Sequence, residues 1–172
     1  AIIVEILDVG IRVVHNEARA RIEALPAGSP ASDVFRAVLR GHLCALLEHG
    51  DYTSANVRIF GQVPPAVREA NLPVRHAYES FLDDLLSGLQ ARGAIRDDVN
   101  LPRFRLLGCV GWLVRPLRRD DVNLPRFRLL LIGALNATLE WFDPQKGSAE
   151  ELADDYADTF MNGILTQSGD KA

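Results

Sequence analysis

The sequence predicts an all-α protein, a helical bundle that ends in a dimerising helical hairpin. Three observations carry this. Apolar residues recur at the helical period over most of the 172 residues. No segment alternates with period two for long, so no sheet is expected. The stretch from Leu129 to Leu165 reads as two apolar helices joined by a tight turn, Asp143-Pro144 to Gly147-Ser148.

The first helix opens at once. Ile2, Ile3, Ile6, Leu7, Ile11, Val14, Ala18, Ile22 and Leu25 form its stripe. No Ser, Thr, Asp or Asn precedes Ile2 as a cap, which predicts that an upstream part is missing. A helix capped by water or extra residues accounts for the same pattern. Pro26-Ala-Gly-Ser-Pro30 ends it, and Ser32 or Asp33 starts a second helix. That helix carries Phe35, Val38, Leu39, His42, Leu43, Leu46 and Leu47, and Gly50 closes it. A short helix over Asp51–Phe60 stops at Gly61 and Pro64-Pro65. A long helix follows to about Arg92, with Val74, Ala77, Tyr78, Phe81, Leu82, Leu85 and Leu89 on one face. Pro73 is expected to kink or restart it, and Gly93 to stop it.

An internal repeat then interrupts the pattern. RDDVNLPRFRLL occurs at Arg96–Leu107 and again at Arg119–Leu130, 23 positions later. Nothing else repeats, so a solenoid is excluded. A recent tandem duplication and an error in the recorded sequence both account for it. The second copy leads into the hairpin and reads as integral. Residues 96–118 read as an insertion, 168–172 as a tail, and 1–172 as one domain.

The hairpin predicts an interface. From Leu129 to Phe142 only Asn136, Thr138 and Glu140 are polar. A helix apolar nearly all round is buried nearly all round, here by its own core on one side and a second chain on the other. Gly133, Ala134 and Ala137 thin one face for close approach. Ser148 with Glu151 is a capping box for the last helix. Leu152, Tyr156, Phe160 and Ile164 follow at i+4 steps, with Glu150, Asp154, Asp155 and Asp158 facing water. Two hairpins across a two-fold axis make a four-helix bundle. The expected interface is Leu130, Gly133, Ala134, Ala137, Trp141, Tyr156, Phe160 and Ile164. A monomer whose inserted segment covers the same surface is the competing arrangement.

Bulk composition excludes several classes. A net charge of −4 shows no basic stripe for nucleic acid and favours no anionic membrane. No apolar run approaches a membrane span, and no signal peptide opens the chain. Cys44 and Cys109 make no disulfide framework, which fits a reducing, cytoplasmic compartment. Lys146 and Lys171 are the sole lysines among 19 basic residues, a bias that fits a GC-rich bacterial gene. There is no Gly-x-Ser-x-Gly elbow, no His-Glu-x-x-His, no Glu-x-x-His pair and no glycine-rich phosphate loop. His15, His42, His49 and His76 are scattered without metal-ligand spacing. No enzyme, metal or cofactor is expected. Arg115, Arg118 and Arg119 read as a solvated face.

The helix order resembles the C-terminal domain of tetracycline-repressor-like (TetR-family) regulators. The resemblance rests on Arg119–Ile164, above all Trp141-Phe142-Asp143-Pro144 with Gly147-Ser148, and on HLCALLEHGDYTSANVRIFGQVPPAVREA from His42 to Ala70. It is nearest to members related to fatty-acid and steroid catabolism. It implies an effector-binding and dimerisation domain of a bacterial repressor. The implied partners are a second copy and a small apolar ligand, such as an acyl-CoA or lipid. DNA would be reached only through an N-terminal helix-turn-helix that this chain lacks. Ala137 departs from the large aromatic that relatives often carry there. The implied cavity has candidates in His42, Tyr78 and Asn136 as polar groups and Phe60, Phe81 and Ile132 as apolar wall. Each has a plainer alternative: His42 as a satisfied core histidine, Tyr78 pointing to water, Asn136 bonding across the dimer. A stand-alone helical binding protein or an atypical helical enzyme is the alternative reading of the whole.

Overall fold

The computed structural model describes residues 2–48, 50–95 and 124–164. The first repeat copy, the insertion over 96–118, Cys109, the cluster at Arg115, Arg118 and Arg119, His49 and the tail over 168–172 lie outside these residues. Among the described residues there are six α-helices and no strand: α1 (Ile2–Glu23), α2 (Ala31–Glu48), α3 (Gly50–Ile59), α4 (Pro65–Ala91), α5 (Leu124–Ala137) and α6 (Ala149–Ile164). A 3-10 turn over Thr138–Glu140 extends α5.

Helix α2 is the centre. Its buried residues run from Phe35 through Ala37, Val38, Leu39, Gly41, His42, Leu43, Cys44 and Ala45 to Leu46, which leaves almost no polar face. Such a helix must be covered on every side. Helices α1, α3, α5 and α6 all pack on it, and α4 packs on α1 and α5. Phe35, Val38, Leu39, Leu43, Leu82, Leu86, Leu89, Phe127, Leu131 and Leu135 form one core cluster.

Small residues set the closest crossings. A Cβ on Gly41 would lie 2.5 Å from the Cα of Ala18 and 2.7 Å from its N, both backbone atoms of α1. A Cβ on Gly10 would strike the carbonyl of Tyr52 in α3. On α6 the residues sealed against the core are Ala149, Ala153 and Ala157, while Leu152, Tyr156 and Phe160 are only partly buried. The i+4 step is therefore right but the deepest row is one of alanines. Short side chains let α6 lie close on α2.

The polar face of α6 meets water as expected, with Glu150, Asp155 and Asp158 exposed and Asp154 half-buried, and three of these acids also reach arginines of the bundle. Arg40 grips Asp154 through both oxygens, Nε to Oδ1 at 2.7 Å and Nη2 to Oδ2 at 2.6 Å. Arg36 donates to Asp158 Oδ1 at 2.6 Å, and Arg21 to Glu150 Oε1 at 2.7 Å. These arginines belong to α1 and α2, so the acidic row bolts α6 to the bundle. Periodicity cannot reveal this, because the partners lie over a hundred positions away.

The helix ends follow their local chemistry. Gly93 has φ +69° and stops α4, with Ala94 N–H donating to the Leu89 carbonyl at 3.0 Å. Ser148 and Glu151 form the expected capping box, with bonds of 2.9 and 3.1 Å. Helix α4 does not restart at Pro73, which lies inside it.

The α1–α2 crossing yields a test. Gly41→Ala should destabilise the chain by about 1–3 kcal/mol, because the added methyl meets backbone rather than a movable side chain. Gly133→Ala, with open space around its Cβ, should not destabilise an isolated chain. Urea denaturation of both variants checks this.

Candidate functional site

A cavity of about 80 Å³ lies beside α2. Its walls come from Gly10, Ile11 and Val14 of α1; His42 and Leu46 of α2; Thr53, Asn56 and Val57 of α3; Arg75, Tyr78 and Glu79 of α4; and Ile132 and Asn136 of α5. Four of the six residues expected from sequence meet here: His42, Tyr78, Ile132 and Asn136. Phe60 and Phe81 stand behind the wall. The Arg75 guanidinium stacks on the Phe60 ring at 3.9 Å. Phe81 packs on Tyr78 and His15, with ring centroids 6.1 and 4.9 Å apart.

His42 and Tyr78 share the central bond. Tyr78 Oη lies 2.7 Å from His42 Nδ1, and both residues are buried. Burial pushes the His42 imidazole down to about 4, partly opposed by the neighbouring Asn136 amide. Burial also raises the Tyr78 phenol well above its usual range. The phenol therefore keeps its proton, and Nδ1 is its hydrogen-bond partner. With the O–H donating to Nδ1, the neutral ring carries its own proton on Nε2, and the Asn136 side chain is the ring's other hydrogen-bond neighbour.

Arginine 75, absent from the sequence expectations, is the other notable wall residue. Its Nη2 donates to Asn56 Oδ1 at 3.2 Å, and Asn56 Nδ2 donates to the Leu7 carbonyl. Its Nε is buried and unpartnered. Burial lowers its pKa, while the charge of Glu79 acts to raise it. Glu79 itself is paired with Arg128 at 2.8 Å. Nearby, Asp8 is buried and held by Asn71 Nδ2 at 2.7 Å. The polar spacing in α3 and α4 (Asn56, Asn71, Arg75) was the available sequence signal. It reads as ordinary surface until the helices are placed.

Two other features carry less chemistry. A surface groove of about 860 Å³ borders the end of α2 and the α5–α6 turn. It is larger but contains none of the unpartnered buried groups. Cys44 is a free, buried thiol that burial pushes up to about 11, which keeps it inert. Among the described residues no group of His, Cys, Asp or Glu could hold a metal ion. No described helix is long and apolar enough to cross a membrane.

The expected interface residues fall on two elements. Leu130 and Trp141 are 50% and 55% exposed, and Leu129 is 60% exposed. Gly133 and Ala137 are exposed on the same side of α5, and Ala134 is half-buried. Tyr156 and Phe160 are partly buried against the core, Phe160 meeting Phe127 edge to face at 5.8 Å. The side chain of Ile164 lies outside the described residues.

Comparison with known proteins agrees with this architecture. Residues 28–120, more than half of the chain, match the family model described as tetracyclin repressor-like, C-terminal domain. The chain belongs to that family, whose members are generally ligand-binding, dimeric parts of transcription regulators. Three solved structures share the fold. The TetR-family transcriptional regulator PfmR from Thermus thermophilus is 17% identical with a TM-score of 0.67, over 96% of this chain and 76% of that one. The superantigen PfiT is 21% identical with a TM-score of 0.67, over 97% and 73%. A protein with unknown function from Rhodococcus sp. RHA1 is 16% identical with a TM-score of 0.64, over 95% and 72%. None of the curated protein sequences matches.

The burial of His42 gives a pH test. Its folded pKa lies below the unfolded value of 6.5, so between pH 6.5 and about 4 the unfolded chain binds a proton that the fold refuses. Stability is full above that window and falls as pH drops through it, by up to about 1.4 kcal/mol per pH unit. His15, also lowered by burial, adds a smaller slope of the same sign. Chemical denaturation at pH 7 and 5 should show the loss, and His42→Gln should flatten most of it.

Proposed function

We propose that this chain is the effector-binding and dimerisation domain of a cytoplasmic bacterial transcriptional repressor. The carrying observation is the cavity, which the buried His42 ring and the half-buried Arg75 guanidinium line together with Ile11, Val14, Leu46 and Ile132. A few polar groups in an apolar hollow orient a ligand whose body supplies the binding energy. Every helix from α1 to α5 contributes to the wall, so a ligand there bears on the packing of the whole bundle.

The cavity as it stands holds roughly two or three waters, well short of the ~300 Å³ that an organic effector commonly fills. Binding therefore requires the walls to part. The α4–α5 side is the place to yield, because α5 packs more lightly on α2 than α1 and α6 do. A ligand that prefers the parted form shifts the population toward it. Because α5 also carries the exposed Leu130, Gly133 and Ala137, with Trp141 just beyond its 3-10 extension, ligand entry and dimer geometry share one helix.

That row supports the dimer. Large apolar side chains exposed along one helix face mark an interface, and Gly133 leaves room for a second helix to come close. The repressor role, a small apolar ligand and the homodimer stand together in this reading, with no catalytic step assigned.

Two measurements test it. Sedimentation at micromolar concentration should give a dimer, and Leu130→Glu should give a folded monomer; a wild-type monomer would remove the dimer. A thermal-shift panel of acyl-CoAs, fatty acids and steroids should contain at least one stabiliser. If none raises the midpoint, the effector reading loses its support.

A further inference from the structure

Arginine 75 is set apart from the other arginines that line or flank the bundle interior. Arg12, Arg21, Arg36, Arg40 and Arg128 each meet a carboxylate. Arg75 meets none among the described residues. Its contacts are the neutral Asn56 amide and the face of Phe60. Both hold the guanidinium in place, and neither neutralises it. Taking a charge out of water without a counter-ion is costly. The nearest acid in the wall, Glu79, has its carboxylate engaged by Arg128, which also reaches Asp83 at 2.9 Å. The cavity is thus walled by a pre-positioned cation whose Nε–H is unspent.

His42 does not compete for the same partner: its Nδ1 meets Tyr78 and its ring has the Asn136 side chain as a further hydrogen-bond neighbour. The donor facing the hollow is therefore Arg75. Among the described residues no wall carboxylate forms an ion pair with it. A charged donor in that position calls for an oxygen-rich anion.

We propose that the ligand of this cavity is a small organic acid, its carboxylate held by Arg75. Its apolar body lies against Ile11, Val14, Leu46 and Ile132. The inference rests on the effector reading above and sharpens it. A free acid with a compact body suits a hollow of this size better than an acyl-CoA does. The guanidinium feels the Glu79 charge but forms no ion pair with it, and it meets a carboxylate directly when the ligand binds, so charge as well as shape selects the effector.

The test is isothermal titration of the full 172-residue chain at constant ionic strength. The probes are straight-chain carboxylates from propanoate to octanoate and benzoate, each beside its primary amide. At least one acid should bind, with its amide roughly tenfold or more weaker. Arg75→Gln should lose the same factor for the acid and leave the amide unchanged, which also reports that the cavity is intact. Arg75→Lys, which keeps the charge but not the Nε–H fork, should fall between. Equal binding of acid and amide, or undiminished acid binding by Arg75→Gln, overturns the proposal while the effector reading survives. Absence of binding by any acid overturns it too, and the neutral members of the thermal-shift panel then decide the effector reading separately.

Discussion

The burial of α2 governs this structure. A helix with buried residues at successive positions from Ala37 to Leu46, broken only by Arg40, has no face to give to water. The chain meets this by wrapping α1, α3, α5 and α6 around it, with Gly41 and the alanine row of α6 permitting close approach. The constraint has one polar exception at its centre, His42. A buried imidazole must be neutral or paired, and it must find partners for both nitrogens. Tyr78 satisfies one, and the Asn136 side chain adjoins the ring at the cavity wall.

The electrostatics divide into two layers. On the outside, arginines of α1 and α2 clamp the acidic row of α6, in pairs that are partly exposed and so individually modest. Inside, Arg75 is held by an amide and an aromatic face instead of a carboxylate. The first arrangement spends its charges within the fold. The second leaves Arg75 without a carboxylate within ion-pair distance among the described residues.

Much of the fold was legible in the sequence, because helical periodicity, Gly93 and the Ser148–Glu151 box are local signals. The central place of α2 followed from its unbroken apolar run. His42, Tyr78, Ile132 and Asn136 could be picked out because each interrupts or completes an apolar stripe, and the structure brings all four to one cavity. Arg75 could not, since an arginine within an amphipathic helix looks like solvated surface until α3 places Asn56 and Phe60 against it. The exposure of the acidic face of α6 was legible, but the arginine partners of Glu150, Asp154 and Asp158 were not, because they are distant in sequence. The alanine row was hidden because alanine carries little weight in any hydrophobic pattern, although its small size decides how closely helices pack.

The central claim is that His42 is a neutral ring with its proton on Nε2, at the wall of the cavity. Nitrogen-15 NMR of the histidine rings reads this directly, since protonated and bare imidazole nitrogens differ widely in shift and coupling. At pH 7 the spectrum should show a bare Nδ1 and a protonated Nε2 for His42, and the Nε2 signal should move when a ligand fills the cavity. A proton on Nδ1, or a doubly protonated ring at that pH, would contradict the account.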